Sequence, residues 1–212
     1  MTAQDRYATH GELQRRIDPQ GSQTWTAADE ATQDAMLDAM SRAVDGACGQ
    51  FFWKSSAATA RVFSAEWPDV LVVPPIASAT GLIVKTDDTG VGTYGTTWAS
   101  TDYTLWPFNA ASEVPALPWY EIRVDQRTPS TGNVFPTTQR GVEVTALWGW
   151  PAVPDVIHEV VLLEAARMMQ QMQAPSGVVA SAELGQWLVM PRLHPTSVMM
   201  LAPFRRQGWK RS

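Results

Sequence analysis

The stretch from residue 154 to 173 most constrains what this chain can fold into. Pro154 suits the first position of a helix and Asp155 suits its first turn, where a negative charge meets the positive end of the helix dipole. Of the seventeen positions 156–172, eleven are apolar: Val156, Ile157, Val160, Val161, Leu162, Leu163, Ala165, Ala166, Met168, Met169 and Met172. A helix apolar around most of its circumference must be covered on several sides. In a chain of 212 residues, part of that cover is expected from another subunit. Val156, Val160, Leu163, Met168 and Met172 are the residues assigned to such an interface.

Two other helices and a β region complete the pattern. Ala8 to Ile17 reads as a short helix ended by Asp18-Pro19-Gln20-Gly21. Residues 26–49 read as a longer one. Thr26 and Asp29 have capping-box spacing, Met36, Met40, Val44 and Ala47 recur at helical spacing, and Gly49 suits a left-handed stop. Residues 60–150 change to β-branched and aromatic runs broken by Gly, Pro, Asp and Thr. They give candidate strands at Arg61–Ala65, Val70–Val73, Gly81–Lys85, Thr96–Ala99, Asp102–Trp106, Trp119–Val124 and Gly141–Leu147. A last short helix starts after His194, with Pro195 at its first position, and ends near Pro203. The expected fold class is therefore α+β. A small helical bundle (residues 1–55 and 154–206) carries an inserted antiparallel β barrel or sandwich (56–153), and a basic tail follows at 207–212.

Composition narrows the function. No apolar run approaches the roughly 20 residues of a membrane span, and the first residues lack the basic flank and apolar stretch of a secretory signal. A non-secreted protein without membrane contact is expected. The net charge is −5, without the basic excess that duplex binding normally needs. The charge is unevenly spread. Residues 1–183 hold all 21 acids against 11 cations, and the remainder holds five cations, Arg192, Arg205, Arg206, Lys210 and Arg211. An acidic body with a basic end suggests an end that docks on something acidic.

Signals for catalysis are weak. Gly90-Val91-Gly92-Thr93-Tyr94-Gly95 spells a dinucleotide-type loop, but the β-prone Thr96-Thr97-Trp98 follows where a helix is required. His10, His158 and His194 share no helix face, Cys48 reads as a small buried hydrophobe, and Asp87-Asp88 reads as turn chemistry. No cofactor, metal site or enzymatic activity is expected, and a nucleotide-binding enzyme is the least favoured reading.

One junction carries more. Val144-Thr145-Ala146-Leu147-Trp148-Gly149-Trp150-Pro151-Ala152-Val153-Pro154 joins a closing strand to the apolar helix through Gly149-Trp150 and Val153-Pro154. It resembles the head-to-tail connector (adaptor) proteins of long-tailed bacteriophages, the HK97-type connector group in versions with a β insertion. Asp102-Tyr103-Thr104-Leu105-Trp106-Pro107, Ala174-Pro175-Ser176-Gly177 and Leu201-Ala202-Pro203-Phe204-Arg205-Arg206 follow that family's order. His194-Pro195 departs from it, since Asp-Pro is common there. The resemblance implies a structural subunit of the virion neck, assembled in the host cytoplasm. It implies a homo-oligomeric ring of twelve under the portal protein, which extends the DNA channel without binding DNA specifically and meets a head-completion (stopper) or tail protein. Portal attachment is expected at Arg192, Phe204, Arg205, Arg206, Trp209, Lys210 and Arg211. An acidic body suits a channel in which DNA must slide, because dense cations would hold the phosphates. The alternative is another neck or tail-completion protein, such as a mostly-β tail terminator.

Overall fold

The computed structural model describes residues 6–125, 127, 134–173 and 193–205. The chain divides into two units, residues 1–52 with 153–212, and residues 53–152.

The first unit is helical. Helix α1, His10–Ile17, starts at a capping box that pairs Thr9 with Glu12. Helix α2, Ala27–Cys48, starts at the expected box. The Thr26 hydroxyl accepts from the Asp29 N–H, and the Asp29 carboxylate accepts from the Thr26 N–H at 2.9 Å. It stops at Gly49, whose φ of 68° is left-handed. Helix α3, Asp155–Gln173, follows Pro154, whose carbonyl accepts from the N–H groups of Ile157 and His158. Helix α4, Pro195–Leu201, is capped by His194, whose Nδ1 accepts from the Thr196 N–H at 3.2 Å, and runs into a 3-10 turn at Ala202–Phe204. Histidine therefore supplies the cap that the Asp-Pro pattern would have supplied.

Helix α3 is the centre of this unit, and α1, α2 and α4 all pack on it. Ile157, Val160, Val161 and Ala165 are fully buried, as are Leu13 of α1, Leu37 and Val44 of α2 and Leu201 of α4. Polar ties sit among them. The buried Glu164 accepts from the His194 N–H at 2.9 Å and from the Ser197 hydroxyl at 2.6 Å, and it pairs with Arg167 at 2.6 Å. One carboxylate thus fastens the start of α4 to the middle of α3. Arg16 of α1 pairs with Glu159 of α3 at 2.7 Å.

The second unit is one antiparallel sheet of six strands. They are β1 (Thr59–Phe63), β2 (Val70–Thr86), β3 (Thr96–Thr97), β4 (Tyr103–Trp106), β5 (Trp119–Val124) and β6 (Val142–Trp148). The order is β1-β6-β2-β5-β4, with β3 paired to β2. This corrects the expectation of a barrel or sandwich. β1 and β4 end the order at opposite sides and do not pair, so the sheet stays open, and there is no second sheet among the described residues.

The expected strands Val70–Val73 and Gly81–Lys85 are two parts of the single long β2. Pro74-Pro75 lies between those two parts, and proline has no N–H to give a ladder. The ladder accommodates the pair with a register shift between Val72 and Ile76, and the Pro75 carbonyl accepts from the Gly149 N–H at 2.7 Å. One face of the sheet buries Leu71, Val73, Ile122, Val142, Val144, Ala146 and Trp148. Trp98 and Phe135 stack at 4.5 Å within that core, and the Trp98 indole N–H donates to the Thr86 hydroxyl at 3.3 Å.

Gly149 has a definite steric role. Its φ is 114°, and a Cβ there would lie 1.9 Å from the Trp53 carbonyl oxygen. The chain entering the sheet at Lys54 bridges to Gly149, and only a residue without a side chain permits that approach. Gly149→Ala should therefore destabilise the protein by about 3 kcal/mol or more. Urea unfolding checks this; a loss below about 1 kcal/mol would show that the two backbones can separate freely.

Candidate functional site

The candidate site is the surface α3 presents beyond its own bundle. Residues three and four apart on a helix lie on one face. Ile157, Val161, Ala165, Met168 and Met172 therefore form one seam along α3. Its first three members are fully buried, whereas Met168 is 36% and Met172 63% exposed. The core seam thus runs on past the cover that the described residues provide. A helix with such an end gains by burying it, at about 25 cal/mol per Å² of apolar surface.

Leu163 is also exposed, at 37%, but it points elsewhere. It lines a groove of about 430 Å³ with Ile17, Ala166, Arg167, Gln170, His194 and Thr196, between α1, α3 and α4. Of the five interface residues picked from the sequence, then, Leu163, Met168 and Met172 reach the surface. Val156 is half-buried, and Val160 is fully buried inside its own bundle. Periodicity marked the helix as over-apolar but did not tell which positions its own neighbours cover.

Of the residues expected to meet a partner at the C-terminal end, Phe204 and Arg205 are described. Arg192, Arg206, Trp209, Lys210 and Arg211 lie outside the described residues. Phe204 is half-buried. Its ring meets Phe52 edge-on at 6.0 Å, and its carbonyl accepts from Gln50 Nε2 at 2.7 Å. Arg205 is exposed. Among the junction residues, Gly149 is fixed by the Trp53 carbonyl, Trp150 is buried, Val153 is half-buried and Pro154 is buried.

The polar node around Tyr7 has no signal in the sequence pattern. Its hydroxyl donates to Asp45 Oδ1 at 2.5 Å and accepts from the Phe52 N–H at 2.8 Å. Its own N–H donates to the Ser41 hydroxyl at 3.2 Å. Arg42 pairs with the other Asp45 oxygen at 3.2 Å. Burial pushes the Asp45 carboxyl up to about 6, against the opposing effects of Tyr7 and Arg42. Burial also raises the Tyr7 phenol, helped by the bond to Asp45. A lone tyrosine in a polar N-terminal stretch has no periodic signal to announce it.

The groups that resemble chemistry are structural. The glycine-rich loop Gly90–Gly95 joins β2 to β3, and no helix follows it. Two of its N–H groups are already turned onto Asp87, which accepts from Gly90 and Gly92 at 2.8 and 2.6 Å and from the preceding Thr89 at 3.1 Å. Burial works against the Asp87 charge, but these bonds, led by Gly92, outweigh it and leave its pKa lowered. A carboxylate in that position repels a phosphate. Burial pushes the Cys48 thiol up to about 11, reinforced by Asp45, so little reactive thiolate forms. Among the described residues no group of three or more His, Cys, Asp or Glu is placed to hold a metal, and no helix is long and apolar enough to cross a membrane. A second concavity, of about 630 Å³ on the sheet unit, is lined by Asp69, Thr104, Phe108, Arg123, Asp125 and Arg127. Both its arginines are matched, Arg123 with Glu121 and Arg127 with Asp125. Among the described residues, nothing in this set brings a nucleophile and a base together.

No family model matches the chain, and no curated protein matches it. Solved structures do. A chain from the neck of an empty gene transfer agent (GTA) particle, computed with C6 symmetry, is 18% identical, with a TM-score of 0.52, over 94% of this chain and 90% of that one. A chain from the virion of a native GTA particle is 20% identical, with a TM-score of 0.51, over 94% of this chain and 89% of that one. The fold is thus shared with chains of GTA neck and virion particles.

The Asp45 node sets a pH dependence. A folded-state pKa near 6, above the ordinary aspartate value of 3.8, means the folded protein binds more protons than the unfolded chain between those values. This group's contribution to stability is therefore greatest below about pH 4, falls as pH rises towards 6, and is flat above. Asp45→Asn should remove that falling segment. Chemical denaturation from pH 4 to 8 checks it, and an unchanged difference between the two proteins across the window would refute it.

Proposed function

We propose that this protein is a structural head-to-tail connector subunit of a tailed-phage-like particle. Copies form a ring at the neck, under the portal, and link the head to the tail around the DNA path. The observation that carries this reading is the likeness, across nearly the whole chain, to a chain of a GTA neck computed with C6 symmetry. The exposed end of the α3 seam supports it independently. A ring built from one repeated heterologous contact needs an apolar patch that a monomer leaves open, and Met168 with Met172 supplies one. The charge supports it as well. An acidic body does not grip DNA, and a basic C-terminal end has charge to offer an acidic partner such as the portal.

In this reading Met168 and Met172 are buried between neighbouring copies, and Arg205 with the residues beyond it meets the portal. A ring of twelve, a stopper or tail protein on the other face, and a place in the virion neck belong to the same proposal. The proposal includes no catalytic step and no cofactor.

Two measurements test it. The first mixes the purified protein with portal rings and images the mixture by electron microscopy. A second ring stacked on the portal is expected, and isolated particles beside bare portals would refute the connector role. Truncation after Arg205 should abolish that stacking and leave the fold intact. The cut must not fall earlier, because α4 is fastened to Glu164. The second measurement uses Met168→Glu with Met172→Glu. Both residues are exposed in the single chain, so the variant should unfold at about the wild-type denaturant concentration yet form no rings. Rings of normal size from this variant would remove the α3 end from the interface.

A further inference from the structure

The sheet unit has two open edges, β1 and β4, and the hydrogen-bond register tells which backbone groups each edge leaves unused. Residues opposite one another in an antiparallel ladder alternate between pairs that exchange both bonds and pairs that exchange none. The Asp87 N–H donates to the Gly141 carbonyl at 2.9 Å, so Gly141, Glu143 and Thr145 turn toward β2. Val142, Val144 and Ala146 therefore turn toward β1 and bond Phe63, Arg61 and Thr59. The N–H and C=O of Ala60 and Val62 then point away from the sheet, with no strand beyond them among the described residues. At the other edge the Asp125 N–H donates to the Asp102 carbonyl at 2.8 Å. The Val124 N–H donates away from β4, to the Asp69 carbonyl at 2.9 Å. Thr104 thus bonds Arg123, and the N–H and C=O of Tyr103 and Leu105 point outward. Neither edge carries the devices that usually blunt one. β1 and β4 hold no proline or lysine, they pair with β6 and β5 without a register shift, and Arg61 is their one charged residue.

We propose that β4 of one copy pairs with β1 of the next, so that the sheet runs on from subunit to subunit. Each of the four strand pairings that lead from β1 to β4 is antiparallel, so β1 and β4 run in the same direction. Joining copies with their core faces on one side therefore makes a parallel ladder. Such a ladder takes outward groups two residues apart on both strands, as Tyr103 with Leu105 and Ala60 with Val62 are. Side chains alternate between faces. Phe63 and Leu105, each half-buried against the sheet core, come to the same face of the joint. Charge argues against a symmetric contact at β1. An antiparallel β1–β1 ladder that used both Ala60 and Val62 would set the Arg61 side chains of two copies directly opposite, where like charges repel. A β4–β4 ladder would leave both β1 edges open and end at a dimer. The β4–β1 contact satisfies both edges of every copy, and a heterologous contact of this kind is the one that closes into a ring. The inference rests on the ring in the proposed function but not on its place under the portal.

Crosslinking of neighbouring copies of the full chain, mixed with portal rings, tests it. Ala60→Cys and Thr104→Cys put thiols on the two edges, on the face away from the core, and the native Cys48 is buried. A short bismaleimide should link the double variant into a ladder of trimers and larger species on a denaturing gel. Each single variant should stay monomeric. Dimers from Thr104→Cys alone would mean a β4–β4 contact, and dimers from Ala60→Cys alone a β1–β1 contact; either overturns the proposal. Rings seen by electron microscopy whose double variant gives no ladder overturn it too, and leave the ring itself standing. Absence of any ring removes both. A second variant reads the backbone. Ala60→Pro removes an outward N–H that the β1–β6 ladder does not use. It should unfold at the wild-type denaturant concentration, yet raise the protein concentration needed for assembly about tenfold. Unchanged assembly by the folded variant overturns the proposal; should the variant fail to fold, the crosslinks decide.

Discussion

The central constraint on the helical unit is the burial of one helix that is apolar on more sides than a short chain can easily cover. α3 resolves most of that by taking α1, α2 and α4 as neighbours, and Ile157, Val160, Val161 and Ala165 are fully buried as a result. The remaining elements are arranged to make this possible. Capping boxes at Thr9 and Thr26 start the two covering helices. Glu164, placed among apolar neighbours, accepts from the His194 N–H and the Ser197 hydroxyl of the region that must lie across α3. A buried carboxylate is costly unless its lone pairs are matched, so Glu164 makes the position of α4 specific as well as stable.

Among the described residues the cover runs out before the helix does. The seam that is dry at Ile157, Val161 and Ala165 reaches the surface at Met168 and Met172. Methionine suits such an end, because its unbranched, polarizable side chain adapts to more than one packing partner. A single helix thus forms the centre of the unit along one part of its length and reaches the surface at its end.

The sheet unit solves a different problem. Its long β2 carries register shifts near Pro74-Pro75 and again before Ile83, and it gives its early residues to β5 and its later ones to β6 and β3. This lets one strand organise a six-stranded sheet without closing it. The Gly149 backbone then passes within reach of Trp53 and Pro75, which joins the chain entering the sheet to the chain leaving it. A glycine at the end of the closing strand is a steric requirement of that crossing.

Local and periodic features were legible in the sequence because they depend on neighbours along the chain. The Thr26–Asp29 box, the left-handed Gly49, Pro154 and Pro195 at helix starts and the β5 strand Trp119–Val124 all obey short-range rules. The over-apolar character of α3 was equally plain, and so was the α+β division between helices and strands. Tertiary structure alone decided the rest. It carried β2 through two prolines, left the sheet open rather than closed, and buried Val160 while exposing Leu163, Met168 and Met172. It also joined Tyr7 to Phe204 through Phe52. The physical reason is common to all four. Each depends on which distant segment arrives to cover a residue or complete a hydrogen bond, and residue spacing records the need for a partner without naming it.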